Sequence, residues 1–260
     1  GTLHKELLVE PRPEDDLKKI VWHFDEPFGD PSAIPSFYLT KAASSYVKEV
    51  LNGDGGDEIF AGYKRYYIHS RNRFIDYIPQ SIRKIPELLS RRMPCGIDKK
   101  RGLGKFSRIL ESISGNLIET YPLRFSGFSH KMRQTLSKGN LSLNVARNGW
   151  PVTILTNLKE TGAVDAVERL MALDQITYLP EDILVKSDLA GMAHSIECRS
   201  PFLDHTFVEW ANRLPLPYKS NKCLLRNAMR KELPTEITKR KKAGFNPPLD
   251  LWMRSVLRPS

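Results

Sequence analysis

Seven residues, Asn52-Gly53-Asp54-Gly55-Gly56-Asp57-Glu58, lie directly between an apolar stretch and an amphipathic one. Val47, Val50 and Leu51 before them suit a buried strand, and Ile59, Phe60 and Tyr63 after them suit one face of a helix. The glycines let the backbone turn sharply and bring its N–H groups close to a ligand. Asp54 and Asp57 in the same turn would repel a bare phosphate, so an anion bound here needs a divalent cation beside it. Two descriptions compete. One is a tight turn in which Asp54 is a turn former and Asp57 caps the next helix. The other is a magnesium–nucleotide site at the carboxyl end of a strand, where open α/β sheets bind their ligands.

A chain of 260 residues can bury a large core and hold one or two domains. Its 40% hydrophobic content marks it as globular, and no apolar stretch approaches the length needed to cross a bilayer. Gly1-Thr2-Leu3-His4-Lys5-Glu6 is no signal peptide, and the lack of an initiator Met points to a fragment. Cys95, Cys198 and Cys223 are far apart, which reads as reduced thiols in a cytoplasmic protein and not as a zinc site. The net charge of +10 has one source. Residues 64–108 hold thirteen Lys or Arg against three acids, with Phe74, Tyr77 and Phe106 interleaved. A polyanion surface is one reading, but no nucleic-acid motif accompanies the charge, which favours a solvated helical insertion.

Residues 1–62 read as an α/β unit. Leu3 to Val9 suits a strand, Leu17, Ile20, Val21 and Phe24 share a helix face after Pro13, and a second helix is expected over Ser36 to Ser45. Strand and helix alternation implies a mostly parallel sheet. Beyond residue 62 the pattern turns helical: Val164, Val167, Met171 and Tyr178 mark one helix, Ile183 to His194 a buried one, and Leu225, Met229 and Leu233 another. Asp204 can cap a helix bearing Phe207, Val208, Ala211 and Leu214.

Taken together, Asn52 to Tyr63 and Met192 to Asp204 resemble the synthetase domain of glutamine-dependent asparagine synthetases. Phe24 to Asp30, Lys222 to Ala228, and Gly244-Phe245 with Pro248 and Trp252 match in the same order. The resemblance runs from Gly1 to about Arg254. It implies an adenine-nucleotide α-hydrolase-like fold, a Rossmann-like parallel sheet that is truncated and helix-rich here. Residues 1–62 would be the remaining part of the nucleotide-binding core, and residues 63–260 the helical part of the same domain. The implied activity is ATP-dependent amide formation. An acceptor carboxylate such as aspartate is adenylated, pyrophosphate leaves, and ammonia from glutamine attacks to give the amide and AMP.

Transferred position by position, the resemblance makes Asn52 and Gly53 ATP contacts, where the usual pair is Ser-Gly. Asp54 occupies a Glu or Asp position implicated in forming the adenylate, a tyrosine in the similar β-lactam synthetase, and Asp57 matches a Mg2+ ligand. The family often carries a cation at the position of Leu189; Lys186, one turn earlier, can supply the charge, with Asp182 as its structural alternative partner. Glu197, Arg199 and Asp204 read either as a buried polar network or as a salt bridge and a helix cap. His23 beside Asp25 and Glu26 has no third ligand at metal spacing. Lys239-Arg240-Lys241-Lys242 reads as a solvated basic run or a pyrophosphate contact. The family's Ser-Gly-Gly-x-Asp-Ser phosphate loop and N-terminal nucleophilic Cys have no counterpart in this sequence. The expectation is an upstream glutaminase domain in the parent protein, and little or no activity in these 260 residues alone. Alternatives are an amidotransferase for a cell-envelope sugar acid or peptide, and a non-catalytic polyanion-binding relative.

Overall fold

The computed structural model describes residues 3–71, 82, 121, 165–240 and 244–258. The chain divides into two compact units, residues 1–62 with 175–260, and residues 63–174. Most of the basic 64–108 stretch lies outside the described residues, as do Cys95, Lys241 and Lys242.

In the first unit, α1 (Pro13–Phe24) forms where the periodicity of Leu17, Ile20 and Phe24 places it. Pro13 opens the helix and Glu14, Asp15 and Asp16 fill its first turn. Asp25 closes it with a φ of 58°, its N–H returning to Val21 O. Helix α2 (Ala33–Ala43) begins three residues before the expected Ser36. Asp30 is the cause: its Oδ1 accepts the Ser32 N–H at 2.9 Å and its carbonyl the Ala33 N–H at 3.1 Å. Pro35 then falls in the first turn, where its missing N–H has no intrahelical bond to lose.

Strand β1 (Glu49–Leu51) pairs in parallel with β2 (Glu197–Arg199), Val50 opposite Cys198. The ladder continues at both ends, Glu197 N to Lys48 O at 2.9 Å and Asn52 N to Arg199 O at 2.8 Å. A helix-rich α/β architecture with a parallel sheet is therefore present. Leu3 to Val9, by contrast, is not a strand: among the described residues the sheet has two strands, and Leu3 and Leu8 stand exposed. Without a neighbouring ladder its backbone has no sheet partner.

After β1 comes the short α3 (Gly56–Ile59), and after the second unit a π turn (Leu179–Leu184) runs into α6 (Val185–Met192). Between them in sequence lie α4 (Lys64–Arg71) and α5 (Ala166–Ile176). Helix α7 (His205–Arg213) is capped by Asp204 as expected, its carboxylate accepting from Thr206 N at 3.0 Å and Phe207 N at 3.1 Å. Two cores hold the unit. Ile20 and Phe24 of α1, Ile34 and Phe37 of α2, and Ala190 of α6 form one. Ile59 of α3, Phe60 directly after it and Ala211 of α7 form the other. Helix α6 is pressed onto both α2 and β2. Thr40 Oγ1 donates to Ala190 O at 2.6 Å, and a Cβ on Gly191 would lie 2.7 Å from Ile196 O.

In the second unit, Asp174 is fully buried and its Oδ2 accepts from Arg65 Nη2 at 2.6 Å, Tyr66 OH at 2.6 Å and Tyr121 OH at 2.7 Å. Among the described residues no helix is long and apolar enough to cross a membrane.

Candidate active site

The Asn52–Asp57 turn leaves the carboxyl end of β1 and is fixed there by its own side chains. Asn52 Oδ1 accepts from Ser200 Oγ at 2.6 Å and from Asp54 N at 3.2 Å. Asn52 Nδ2 donates to Asp54 Oδ2 at 2.8 Å, and Ser187 Oγ of α6 donates to the same oxygen at 2.6 Å. Gly53 is exposed with open space around its Cα. Gly55 has a strict requirement: its φ is +83°, and a Cβ would run into the Leu203 side chain. Gly55 also takes the cap position of α3, so Asp57 lies inside the first turn and is not the cap. Because α3 has only four residues, it offers little of the dipole that a longer helix would bring.

Asp57 faces a cation. Its Oδ1 lies 3.0 Å from Lys222 Nζ, and both side chains are largely buried. The pair lies against Gly62, where a Cβ would collide with Asp57 Oδ1 and come within 2.6 Å of Lys222 Cε. Lys222 reaches this place through an unusual backbone. Ala61, Asn221 and Lys222 all have left-handed φ values, 45°, 52° and 58°. At Ala61 and Lys222 this costs roughly 1–2 kcal/mol each, whereas Asn tolerates it better. Two hydrogen bonds hold them: Lys222 N to Phe60 O at 2.9 Å and Asn221 N to Ala61 O at 3.3 Å. Backbone strain of this kind collects at functional sites.

Lys186, immediately before Ser187, does not use Asp182. Its Nζ donates to Asp30 Oδ2 and Ser32 Oγ, both at 2.9 Å. Asp182 lies in the π turn, whose i→i+5 winding breaks the i,i+4 spacing on which that pairing depends. Burial pushes the Asp30 carboxyl upward, but the bonds from Ser32 and Lys186 outweigh it and hold it below the usual carboxylate range. Leu189 packs against the α1–α2 core, so no cation stands at its position.

Arg199 forms exposed ion pairs with Glu49 and Glu197, each at 2.8 Å, and Asp204 caps α7; neither builds a buried network. The Cys198 thiol is pushed up by burial and then by the Asp54 and Asp188 carboxylates, which disfavours its thiolate form. A cavity of about 370 Å3 lined by Arg12, Lys19, Tyr38 and Lys41 contains none of these residues.

Among the described residues, His23 included, no group of three or more His, Cys, Asp or Glu could hold a metal. Asp57 nonetheless fits Mg2+ chemistry. That ion commonly takes one or two carboxylates and completes its shell with phosphate oxygens and water. The lysine already set against Asp57 Oδ1 marks the oxygen as a place for positive charge.

The turn residues were legible because they are contiguous. Asp30, Ser187, Ser200 and the role of Lys222 were not: they arrive from distant segments, and the motifs Phe24–Asp30, Met192–Asp204 and Lys222–Ala228 contained three of them without giving them a role.

The family model for asparagine synthase matches residues 1–260, and the chain belongs to that family. A Mycobacterium bovis protein with the provisional name asparagine synthetase (glutamine-hydrolyzing) is 35% identical over 245 residues, covering 92% of this chain and 36% of that protein. Asparagine synthetase (glutamine-hydrolyzing) 1 of Bacillus subtilis is 31% identical over 247 residues, covering 94% of this chain and 37% of that protein. The chain thus spans little more than a third of the length of these relatives. No solved structure matches it.

Proposed function

We propose that this chain forms one wall of the nucleotide site in a cytoplasmic, ATP-dependent amide-forming ligase. Its sheet then belongs to an adenine-nucleotide α-hydrolase-like fold. The acceptor carboxylate attacks the α-phosphorus of ATP, the bond to the β-phosphate oxygen breaks, and pyrophosphate leaves. Ammonia next attacks the acyl-adenylate carbon, AMP departs, and the nitrogen loses a proton to leave the amide. A glutaminase domain elsewhere in the protein supplies the ammonia, in keeping with the glutamine-hydrolyzing names of the relatives.

The observation that carries this reading is the meeting of Asp54, Asp57 and Lys222 around one glycine turn at the end of a parallel strand. Asn52 and Gly53 line the ATP side of that turn, with Gly53 open enough for close approach of a ligand. Asp57 would hold Mg2+, which offsets the phosphate charge when bound. Lys222 and Lys186 supply fixed cations for the charge that moves onto pyrophosphate, a term that preorganised groups deliver without reorganisation. Asp54 faces the acceptor. Aspartate is the acceptor that the relatives' names suggest.

ATP–pyrophosphate exchange by the full-length protein tests this. Exchange that depends on an added carboxylate and is lost in Asp54→Asn is the expected result. Exchange that ignores every carboxylate, among them aspartate, a uronic acid and a peptide acid, would overturn it. The 260 residues alone are expected to show none.

A further inference from the structure

Asp54 is gripped by one oxygen only. Its Oδ2 accepts from Asn52 Nδ2 at 2.8 Å and Ser187 Oγ at 2.6 Å, whereas no described residue donates to Oδ1. The two donors come from different elements, the turn after β1 and helix α6. Neither donor is itself loose. Asn52 is anchored by Ser200 Oγ at 2.6 Å, just past β2, and by Asp54 N at 3.2 Å. Ser187 is flanked by Lys186, which ties α6 to Asp30. Two neutral donors on a single oxygen fix the direction of a carboxylate without cancelling its charge.

We propose that Asn52 and Ser187 are positioning residues that clamp Asp54 Oδ2 and so aim Oδ1 at the acceptor and nucleotide. This rests on the role given to Asp54 above and adds how that role is enforced. Asn52 divides its tasks between two atoms, Oδ1 accepting from Ser200 while Nδ2 donates to Asp54. A serine at this position would have to do both with one hydroxyl. Asn52 and Ser187 therefore act as a matched pair.

Full-length protein carrying Asn52→Ser or Ser187→Ala is compared with Ser187→Thr, which keeps the hydroxyl, and with Asp54→Asn. Exchange is read with Mg-ATP and L-aspartate as the probe acceptor. Each clamp variant should lose about tenfold or more in kcat with the KM for ATP within about threefold, as expected for misplacement of a reacting group. Ser187→Thr should recover most of the rate. A second readout needs no acceptor. Cys198, whose thiol is held up by burial and then by the Asp54 carboxylate, is alkylated with iodoacetamide across pH and quantified on its own peptide by mass spectrometry, so that no other thiol contributes. Freeing Asp54 should move that profile to lower pH. An unshifted Cys198 profile in both Asn52→Ser and Ser187→Ala refutes the clamp, whether or not aspartate is turned over. Clamp variants with unchanged kcat beside a dead Asp54→Asn refute it too, and leave the role of Asp54 standing. Unchanged exchange in Asp54→Asn instead removes the reading on which it rests. Should Ser187→Ala fail to fold, Asn52→Ser and Ser187→Thr decide by the same two measurements.

Discussion

Removing either member of the Asp57–Lys222 pair should cost stability, and removing both should cost little more than one. Unit charges 3.0 Å apart attract by about 5 kcal/mol at an effective dielectric of ~20. Two effects reduce this. The side chains keep 21% and 31% of their exposure, so water screens part of the attraction, and taking the charges out of bulk solvent has its own penalty. A net coupling of about 2 kcal/mol follows, between the values for exposed and fully buried pairs. Lys222→Met leaves the buried Asp57 Oδ1 facing a methyl group, and Asp57→Asn leaves an ammonium without its counter-charge. Each should destabilise by about 2 kcal/mol, and the double variant by about the same. The assay is a double-mutant cycle on denaturant midpoints at low and high salt. Because the pair is largely enclosed, the coupling should survive added salt far better than a surface pair does. A coupling under about 0.5 kcal/mol, or one abolished by salt, would refute the argument that folding builds this pair as a desolvated unit.

Three further outcomes follow from other parts of the molecule. The Tyr66 and Tyr121 phenols are pushed up by burial and then by the Asp174 carboxylate, and Tyr38 is pushed up to about 12 by burial. An unfolded phenol ionises near pH ~10, so stability should hold below that value and fall as pH rises above it; midpoints measured between pH 8 and 12 should show this, with a shallower slope in Tyr66→Phe. His194 packs against Phe37 at a ring separation of 4.3 Å, and burial lowers its pKa. The unfolded histidine takes up a proton near pH ~6.5 while the native one resists, so stability should fall as pH drops below that point, a trend that His194→Gln should flatten. Gly191→Ala places a methyl group 2.7 Å from Ile196 O and 2.9 Å from Cys198 Sγ, and should lower the midpoint by an amount equivalent to about 1–3 kcal/mol.

Elements whose signal is local were readable from the residues. Helix α1 announces itself by spacing, and Asp204 by standing just before an apolar face. Where the reading failed, the deciding interaction lay off the segment. Helix α2 starts early because Asp30 winds the turn ahead of it, and Leu3 to Val9 needed a ladder that its own residues cannot supply. The π turn at Leu179–Leu184 escaped because apolar spacing does not distinguish one wider turn from an α-helix. The same division runs through the site. Asn52, Asp54 and Asp57 are neighbours in sequence, whereas Ser187 and Ser200 reach them across 133 and 148 positions.

Lys222 is the residue for which sequence logic had least to offer, and the reason is conformational. Nothing in Ser220-Asn221-Lys222-Cys223 suggests two successive left-handed residues, a state that Asn tolerates and Lys does not favour. The chain adopts it because the return is tertiary: Lys222 N and Asn221 N satisfy the carbonyls of Phe60 and Ala61, and the ammonium reaches Asp57 over a glycine with no side chain in the way. On the proposed function this arrangement is economical. Lys222 would wait for a phosphate oxygen in a partly enclosed place, with Asp57 compensating its charge until then. If Asp57 turned to a bound cation, Lys222 would already stand in place for a phosphate oxygen. On that reading, the strain at Ala61, Asn221 and Lys222 would be met at folding and not at each turnover.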